Sequence, residues 1–328
     1  MIYTALFYSC LSFLFSLIST PFFSFLAIKT GIVDNPDGKI KLHKKATPYL
    51  GGLSIFFPII FFMIYFQTFV GWQYTGIILG LTILMIVGLL DDMYQLNPTQ
   101  KFFGQCIAAI IFVSAGNYIK YPSLSGLYAY VITIFWYMTI INALNLVDIM
   151  DGLAGFISLG ALMSFAVLAY IERANNLLFF TLIISGSLVG FLYYNKPRAK
   201  IYMGDTGSLF LGGCLGLTPF LLAKDSTVNI HEMLVVIILL GIPLAETALL
   251  ILIRTYKRIP FYKASPDHFA CYLRRKKWHE WKILSGVSIV SILLSFVAFC
   301  FFMKTFSCIA TFLQLFLLLF FSIFIIYF

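Results

Sequence analysis

Charge is scarce in this sequence: Asp, Glu, Lys and Arg make up only 11% of its 328 residues, and just 13 residues are acidic. A soluble globular chain carries roughly 25% charged residues, so a water-soluble domain of this length is excluded. No polar stretch is long enough to form a soluble second domain. The six cysteines include no C-x-x-C pair and mostly lie in apolar runs, which excludes a disulfide framework or structural zinc. Met1 to Cys10 has no basic segment, and its apolar run continues to Ile28. That is too long for a signal-peptide core, so an uncleaved span is expected. Tandem repeats, low-complexity tracts and long linkers are absent.

What remains is hydrophobic. Apolar residues make up 61% of the chain, in runs long enough to cross a bilayer. The pattern predicts an all-α polytopic membrane bundle, a single integral membrane domain over residues 1–328. About eleven spans are expected, at 3–28, 51–70, 74–90, 102–118, 127–146, 153–171, 177–194, 208–223, 232–254, 283–303 and 307–327. Alternating the loops places Lys120, Arg173, Lys224 and Lys304 on one side and the rest of the 22 Lys and Arg on the other. The positive-inside rule makes the second side cytoplasmic, with the N-terminus out and the C-terminus in. The net charge of +9 therefore belongs to a membrane surface, and nucleic acid is not an expected partner.

The acids follow the same side, although that rule concerns only Lys and Arg. Asp34, Asp37, Asp91, Asp92, Asp148, Asp151, Asp205, Asp267 and Glu280 fall on the cytoplasmic face, several at the ends of apolar spans. Ionisable groups there are costly and often functional. Asp91-Asp92 ends the third span; adjacent helical side chains diverge by about 100°, so the pair points at two partners. The alternative is a solvated helix end, but acids at a helix C-terminus oppose the macrodipole.

Asn142, Asn145, Asp148 and Asp151 recur every third residue. Each step drifts by about 60° on a helix, so all four converge only if the helix breaks, which Gly152 permits. Their oxygens suit a hard cation such as Mg²⁺. Hydrogen-bond glue between helices accounts for one or two Asn but fits the carboxylates badly. In Gly204-Asp205-Thr206-Gly207-Ser208, glycines allow close approach and a helix N-terminus offers N–H groups to an anion; simple capping is the competing explanation. Lys41 to Gly52, with His43, Lys44, Thr47 and the Gly51-Gly52 pair, is either a phosphate site or a topogenic basic loop. The loop 255–281 carries Ser265-Pro266-Asp267-His268, and its Arg274 to Lys277 run suits anionic membrane lipids. Glu246 lies within a span and is expected to pair with a polar group of the bundle.

Taken in order, from about Asp34 to Asp267, these motifs resemble the polyprenyl-phosphate N-acetylhexosamine-1-phosphate transferases. That family includes the GlcNAc-1-phosphate transferases of O-antigen and teichoic-acid synthesis and the phospho-MurNAc-pentapeptide transferase. The resemblance implies a multi-pass protein of the bacterial inner (plasma) membrane. It would transfer a sugar-1-phosphate from a UDP-sugar, usually UDP-N-acetylhexosamine, to undecaprenyl phosphate and release UMP. This would be the first membrane step of a cell-surface polysaccharide such as lipopolysaccharide or cell wall. It also implies a Mg²⁺ cofactor, with Mn²⁺ as a substitute, held by Asn145 and Asp205. Asp91 and Asp92 would face the acceptor phosphate as base, nucleophile or electrostatic partner; Asp148, grouped with them as catalytic, would lie near Asp151. Asp151 would bind uracil, Tyr202 would stack on it, and His43, Lys44 and Thr47 would line the nucleotide phosphates. Asp267 and His268 would meet sugar or phosphate. A homodimer is compatible with this.

One departure stands out. Relatives often carry several histidines after Ser-Pro-Asp, whereas His268 stands alone in Ser265-Pro266-Asp267-His268-Phe269-Ala270-Cys271, which leaves the sugar open. The competing class is a transporter or channel with a cation or phosphate site. Such sites usually lie near the midplane between repeats. A catalytically dead scaffold is disfavoured by the intact acids.

Overall fold

A computed structural model describes residues 1–34, 46–65, 71–120, 126–223, 230–260 and 265–303. The described part is helical except for one pair of two-residue strands. Seven helices are long and apolar enough to cross a membrane. They are α1 (Ile2–Thr30), α3 (Trp72–Tyr94), α5 (Gly126–Val147), α6 (Leu153–Ile171), α7 (Asn175–Asn195), α8 (Gly204–Leu222) and α12 (Glu280–Phe302). Each coincides with an expected span. Two more, α2 (Gly51–Tyr65) and α4 (Pro98–Ser114), have 15 and 17 residues. The expected span 307–327 lies outside the described residues, as do His43 and Lys44.

The expected single span 232–254 is broken. It forms α9 (Ile230–Leu239) and α10 (Gly241–Tyr256), bent by 77°. The cause is local: a regular helix would need an N–H from Pro243 and would press its ring on the carbonyl of Leu239. Gly241 beside it weakens the helix further.

Helix α8 is the hub. It packs against α3, α5 and α2, and nearly all of its side chains are buried. Around it, α7 packs on α1 and α6, and α12 closes on α6 and α9. Short strands β1 (Val33–Asp34) and β2 (Thr47–Pro48) pair antiparallel, Val33 opposite Pro48 and Asp34 opposite Thr47. The segment after β2 continues the pairing onto the lead-in to α8. Tyr202 N–H donates to Pro48 O (2.8 Å), Gly51 N–H to Tyr202 O (3.1 Å) and Gly52 N–H to Met203 O (2.9 Å). The Gly51-Gly52 amides are thus used to join α2 to α8 and are not offered to a phosphate.

Candidate active site

The C-terminal end of α3, the first turns of α4 and α8 and the end of α5 meet at one end of the bundle. Two glycines permit it. A side chain at Gly88, one turn before Asp92, would run into the backbone of Asp205 and Thr206. Gly204, at φ +68°, takes a left-handed conformation, and a Cβ there would press on the Asp92 carboxylate.

As the 100° divergence requires, the adjacent acids separate. Asp92 turns to the start of α8 and accepts from Asp205 N–H (2.8 Å), Thr206 N–H (3.0 Å) and Thr206 Oγ1 (2.6 Å). The anion at this helix N-terminus is therefore the protein's own, and those amides are not open to a substrate phosphate. Capping of α8 falls to Asp92 and not to Asp205. Asp91 turns the other way and accepts from Lys101 Nζ at 3.1 Å.

Lys101 is the centre of the cluster. Its ammonium contacts Asp91 Oδ2, Asp205 Oδ2 and, at 3.3 Å, Asn145 Oδ1. Asn145 is itself oriented by donating Nδ2–H to Asp205 Oδ1 (2.7 Å) and Ser208 Oγ (2.9 Å). Three oxygens from three helices thus converge on one cation. Two carboxylates and a carboxamide are hard donors, and the set fits a small divalent cation. Lys101 sits in the first turn of α4, opened by Asn97 in a capping box with Gln100 and by Pro98 at N1. A cation there opposes the helix dipole. That misplacement is the one trace Lys101 leaves in the sequence, and it becomes legible only once Asn97 and Pro98 are taken as a helix start.

The polar run on α5 does break. The helix ends at Val147, and Gly152 takes φ +74° before α6. Asn142 stays out of the cluster, exchanging hydrogen bonds with Gln105 (2.8 Å and 3.4 Å); this is the interhelical glue. Asp148 lies just beyond the helix, where burial and then the carboxylates of Asp205, Asp92 and Asp151 push it up to about 8. Asp151 accepts from Ala199 N–H (2.8 Å), and Asn195 ties Gly152 N–H (3.1 Å) to Ile201 O (2.8 Å). The turn 148–152 is thereby fixed to the loop before α8. Tyr202 follows on that loop, hydrogen-bonded to Thr47, its hydroxyl raised by burial and then by the Asp151 charge. Tyr49 lies 5.8 Å away, ring to ring, and hydrogen-bonds Asp34. Thr47, Asp151 and Tyr202 therefore form a second polar group next to the carboxylates.

Asp267 and His268 are strapped to α10. Lys257 pairs with Asp267 (2.5 Å), and Arg254 Nε donates to Ser265 Oγ (3.0 Å). Burial alone would raise the Asp267 carboxyl, but the Lys257 and Ser265 bonds outweigh it and hold the group below its usual range. His268 precedes the short helix α11 (Phe269–Arg275). Its Nδ1 lies 3.2 Å from Glu246 Oε1, and both side chains are buried. Glu246 thus has its expected polar partner in the bundle. The contacts of His268 are with Glu246 and not with the carboxylate cluster. Nothing in the spacing of these residues announces the pair, because 22 positions separate them.

Every member of the carboxylate cluster lies at a helix end, so the site belongs to one membrane face and not to the midplane. Hard oxygens gathered around one cation at a membrane face are what a metal-assisted membrane enzyme or a cation carrier would present. Comparison with known proteins narrows the class. The description "Glycosyl transferase family 4" matches residues 74–223, from α3 through α8. The chain is 37% identical over 265 residues to the probable undecaprenyl-phosphate N-acetylglucosaminyl 1-phosphate transferase of Bacillus subtilis, spanning 78% of this chain and 74% of that protein. It is 32% identical to the phospho-N-acetylmuramoyl-pentapeptide-transferase of Clostridium novyi (78% and 84% covered). For the same enzyme of Enterococcus hirae the identity is 31% (79% and 85% covered). The chain belongs to glycosyl transferase family 4, among its polyprenyl-phosphate sugar-1-phosphate transferases, and is a multi-pass inner-membrane transferase.

Proposed function

We propose that this transferase moves N-acetylhexosamine 1-phosphate from a UDP-N-acetylhexosamine to undecaprenyl phosphate at the cytoplasmic face and releases UMP. The convergence of Asp91, Asn145 and Asp205 oxygens on one cationic nitrogen carries this assignment. An oxygen of the acceptor phosphate forms a new bond to the sugar-bearing phosphorus, and the bond from that phosphorus to the UMP oxygen breaks. Both reactants are phosphate anions, so charge neutralisation is the main task.

Asp205 and Asn145 would hold Mg²⁺ or Mn²⁺, which neutralises the diphosphate and polarises its oxygens when bound. Asp91 lies beside Lys101 and is the carboxylate that would meet the acceptor. Asp92 holds α8, and so the position of Asp205; its contribution to transfer runs through that helix. Asp148, its carboxyl pushed up to about 8, keeps its proton at neutral pH and stands beside the cluster as a neutral acid. Asp151, Tyr202 and Thr47 receive the uridine, with His43 and Lys44 completing the phosphate side. Asp267 and His268 shape the sugar side through α10.

Purified protein supplied with undecaprenyl phosphate and a panel of UDP-sugars is expected to form a lipid-linked product. EDTA should abolish the reaction and Mg²⁺ or Mn²⁺ restore it, because the donor oxygens are hard. Transfer that is indifferent to EDTA would reject the metal site. The orientation has its own test: a cysteine at Lys277, in an otherwise cysteine-free background, should react with a membrane-impermeant maleimide only after the membrane is opened. Labelling from outside intact cells would overturn both the topology and the cytoplasmic site.

A further inference from the structure

We infer that Lys101 is a resident counter-ion that the divalent cation displaces: ammonium and metal take the Asn145 and Asp205 oxygens, beside Asp91, in turn and never together. This rests on the metal site just proposed.

First, the cage is full. The Lys101 ammonium engages one oxygen each of Asp91, Asn145 and Asp205. Among the described residues it is the one basic side chain in contact with this cluster, which also contains Asp92 and Asp148. Without it, like charges would face one another in a partly buried site.

Second, the cage cannot be shared. A Mg²⁺ ion draws its oxygens in to about 2.0–2.1 Å. An ammonium needs the same oxygens at roughly 2.7–2.9 Å along its own N–H directions. Housing both would set an ammonium within about two coordination bond lengths of a dication, against their mutual repulsion.

Third, Lys101 has somewhere to go. It sits on the first turn of α4, where the helix dipole repels a cation and the oxygens of Asp91, Asn145 and Asp205 hold it. Its four-carbon stem is flexible and carries rotatable donors. Once released, the ammonium stays tethered beside the cage, where the substrate diphosphate would lie. Metal binding thus frees a phosphate donor at the moment the substrate requires one, and metal-free protein keeps its cage neutralised.

Two measurements on the full-length chain in detergent test this, with Mn²⁺ alone as the probe. By electron paramagnetic resonance, Lys101→Met should bind Mn²⁺ at least ~10-fold more tightly than wild type, about 1.4 kcal/mol. Asp205→Asn should bind it far more weakly. In wild-type protein, acylation of the Lys101 amine, followed by mass spectrometry, should quicken severalfold when Mn²⁺ is added. The second measurement needs no variant and separates displacement from simple repulsion, since repulsion alone raises affinity without uncovering the amine. Unchanged or slower acylation of Lys101 with Mn²⁺ bound would overturn the displacement. In that case a loss of Mn²⁺ binding in Asp205→Asn would leave the metal site standing. Wild-type Mn²⁺ affinity in Asp205→Asn would overturn the metal site, and the displacement with it.

Discussion

Replacing Asp205 with Asn is expected to lower sugar-phosphate transfer by at least ~10²-fold, the size of a lost electrostatic stabiliser, while the protein remains folded. The reason for the intact fold lies in which group caps α8. Asp205 is in the first turn of that helix but makes no capping bond with its side chain. Its backbone N–H is satisfied by Asp92, and the substitution leaves that bond untouched. An Asn oxygen still accepts from Asn145 Nδ2, as Asp205 Oδ1 does at 2.7 Å. What disappears is the charge that faces Lys101 or the metal. A partly exposed ion pair contributes about 0–1 kcal/mol, so thermal unfolding should barely move. Initial rates across a Mg²⁺ series, with melting curves on the same samples, check both halves. Near-wild-type turnover at low Mg²⁺ would place the metal elsewhere.

Asp92→Ala should behave differently and damage the fold. It strips the acceptor from Asp205 N–H, Thr206 N–H and the Thr206 hydroxyl, all at the start of the most buried helix of the bundle. Hydrogen bonds to a charged group are worth ~1.5–3 kcal/mol each, so the expected loss is about 3 kcal/mol or more, with transfer falling as Asp205 drifts. Asp92→Asn keeps one acceptor and should fall between. Asp91→Ala is the control. It removes one partly exposed partner of Lys101, so it should cost transfer with little change in melting. If Asp92→Ala melted like wild type while losing transfer, Asp92 would be acting directly on substrate.

The bundle and the place of its chemistry are legible in the sequence for physical reasons. Bilayer-length apolar runs announce spans, and acids at the ends of such runs have no cheap structural excuse. The divergence of Asp91 from Asp92 follows from helix geometry alone, as does the need for a break near Gly152. Other features depend on contacts that no local pattern encodes. Asn142 has the same spacing as Asn145, yet one faces Gln105 on α4 and the other the cage. Lys101 reads as one more basic loop residue until α4 folds back against α3. The dyad of Glu246 and His268 joins residues 22 positions apart, and the 77° bend between α9 and α10 turns a uniform apolar run into two helices. Gly51-Gly52 shows the limit of motifs: glycines do bring backbones together there, but the partner is Tyr202 and Met203 instead of a phosphate.

Transfer of the phosphorus next to the sugar is the step that distinguishes this reaction from simple glycosyl transfer. It is tested most directly by following UDP-N-acetylglucosamine labelled with ³²P at the β-phosphate, incubated with purified protein, undecaprenyl phosphate and Mg²⁺. The label should enter the lipid fraction together with the sugar, while unlabelled UMP accumulates in the aqueous phase and Asp205→Asn leaves the label behind. Labelled UDP in the aqueous phase beside an unlabelled glycolipid would mean that the sugar alone was transferred, and would contradict the account.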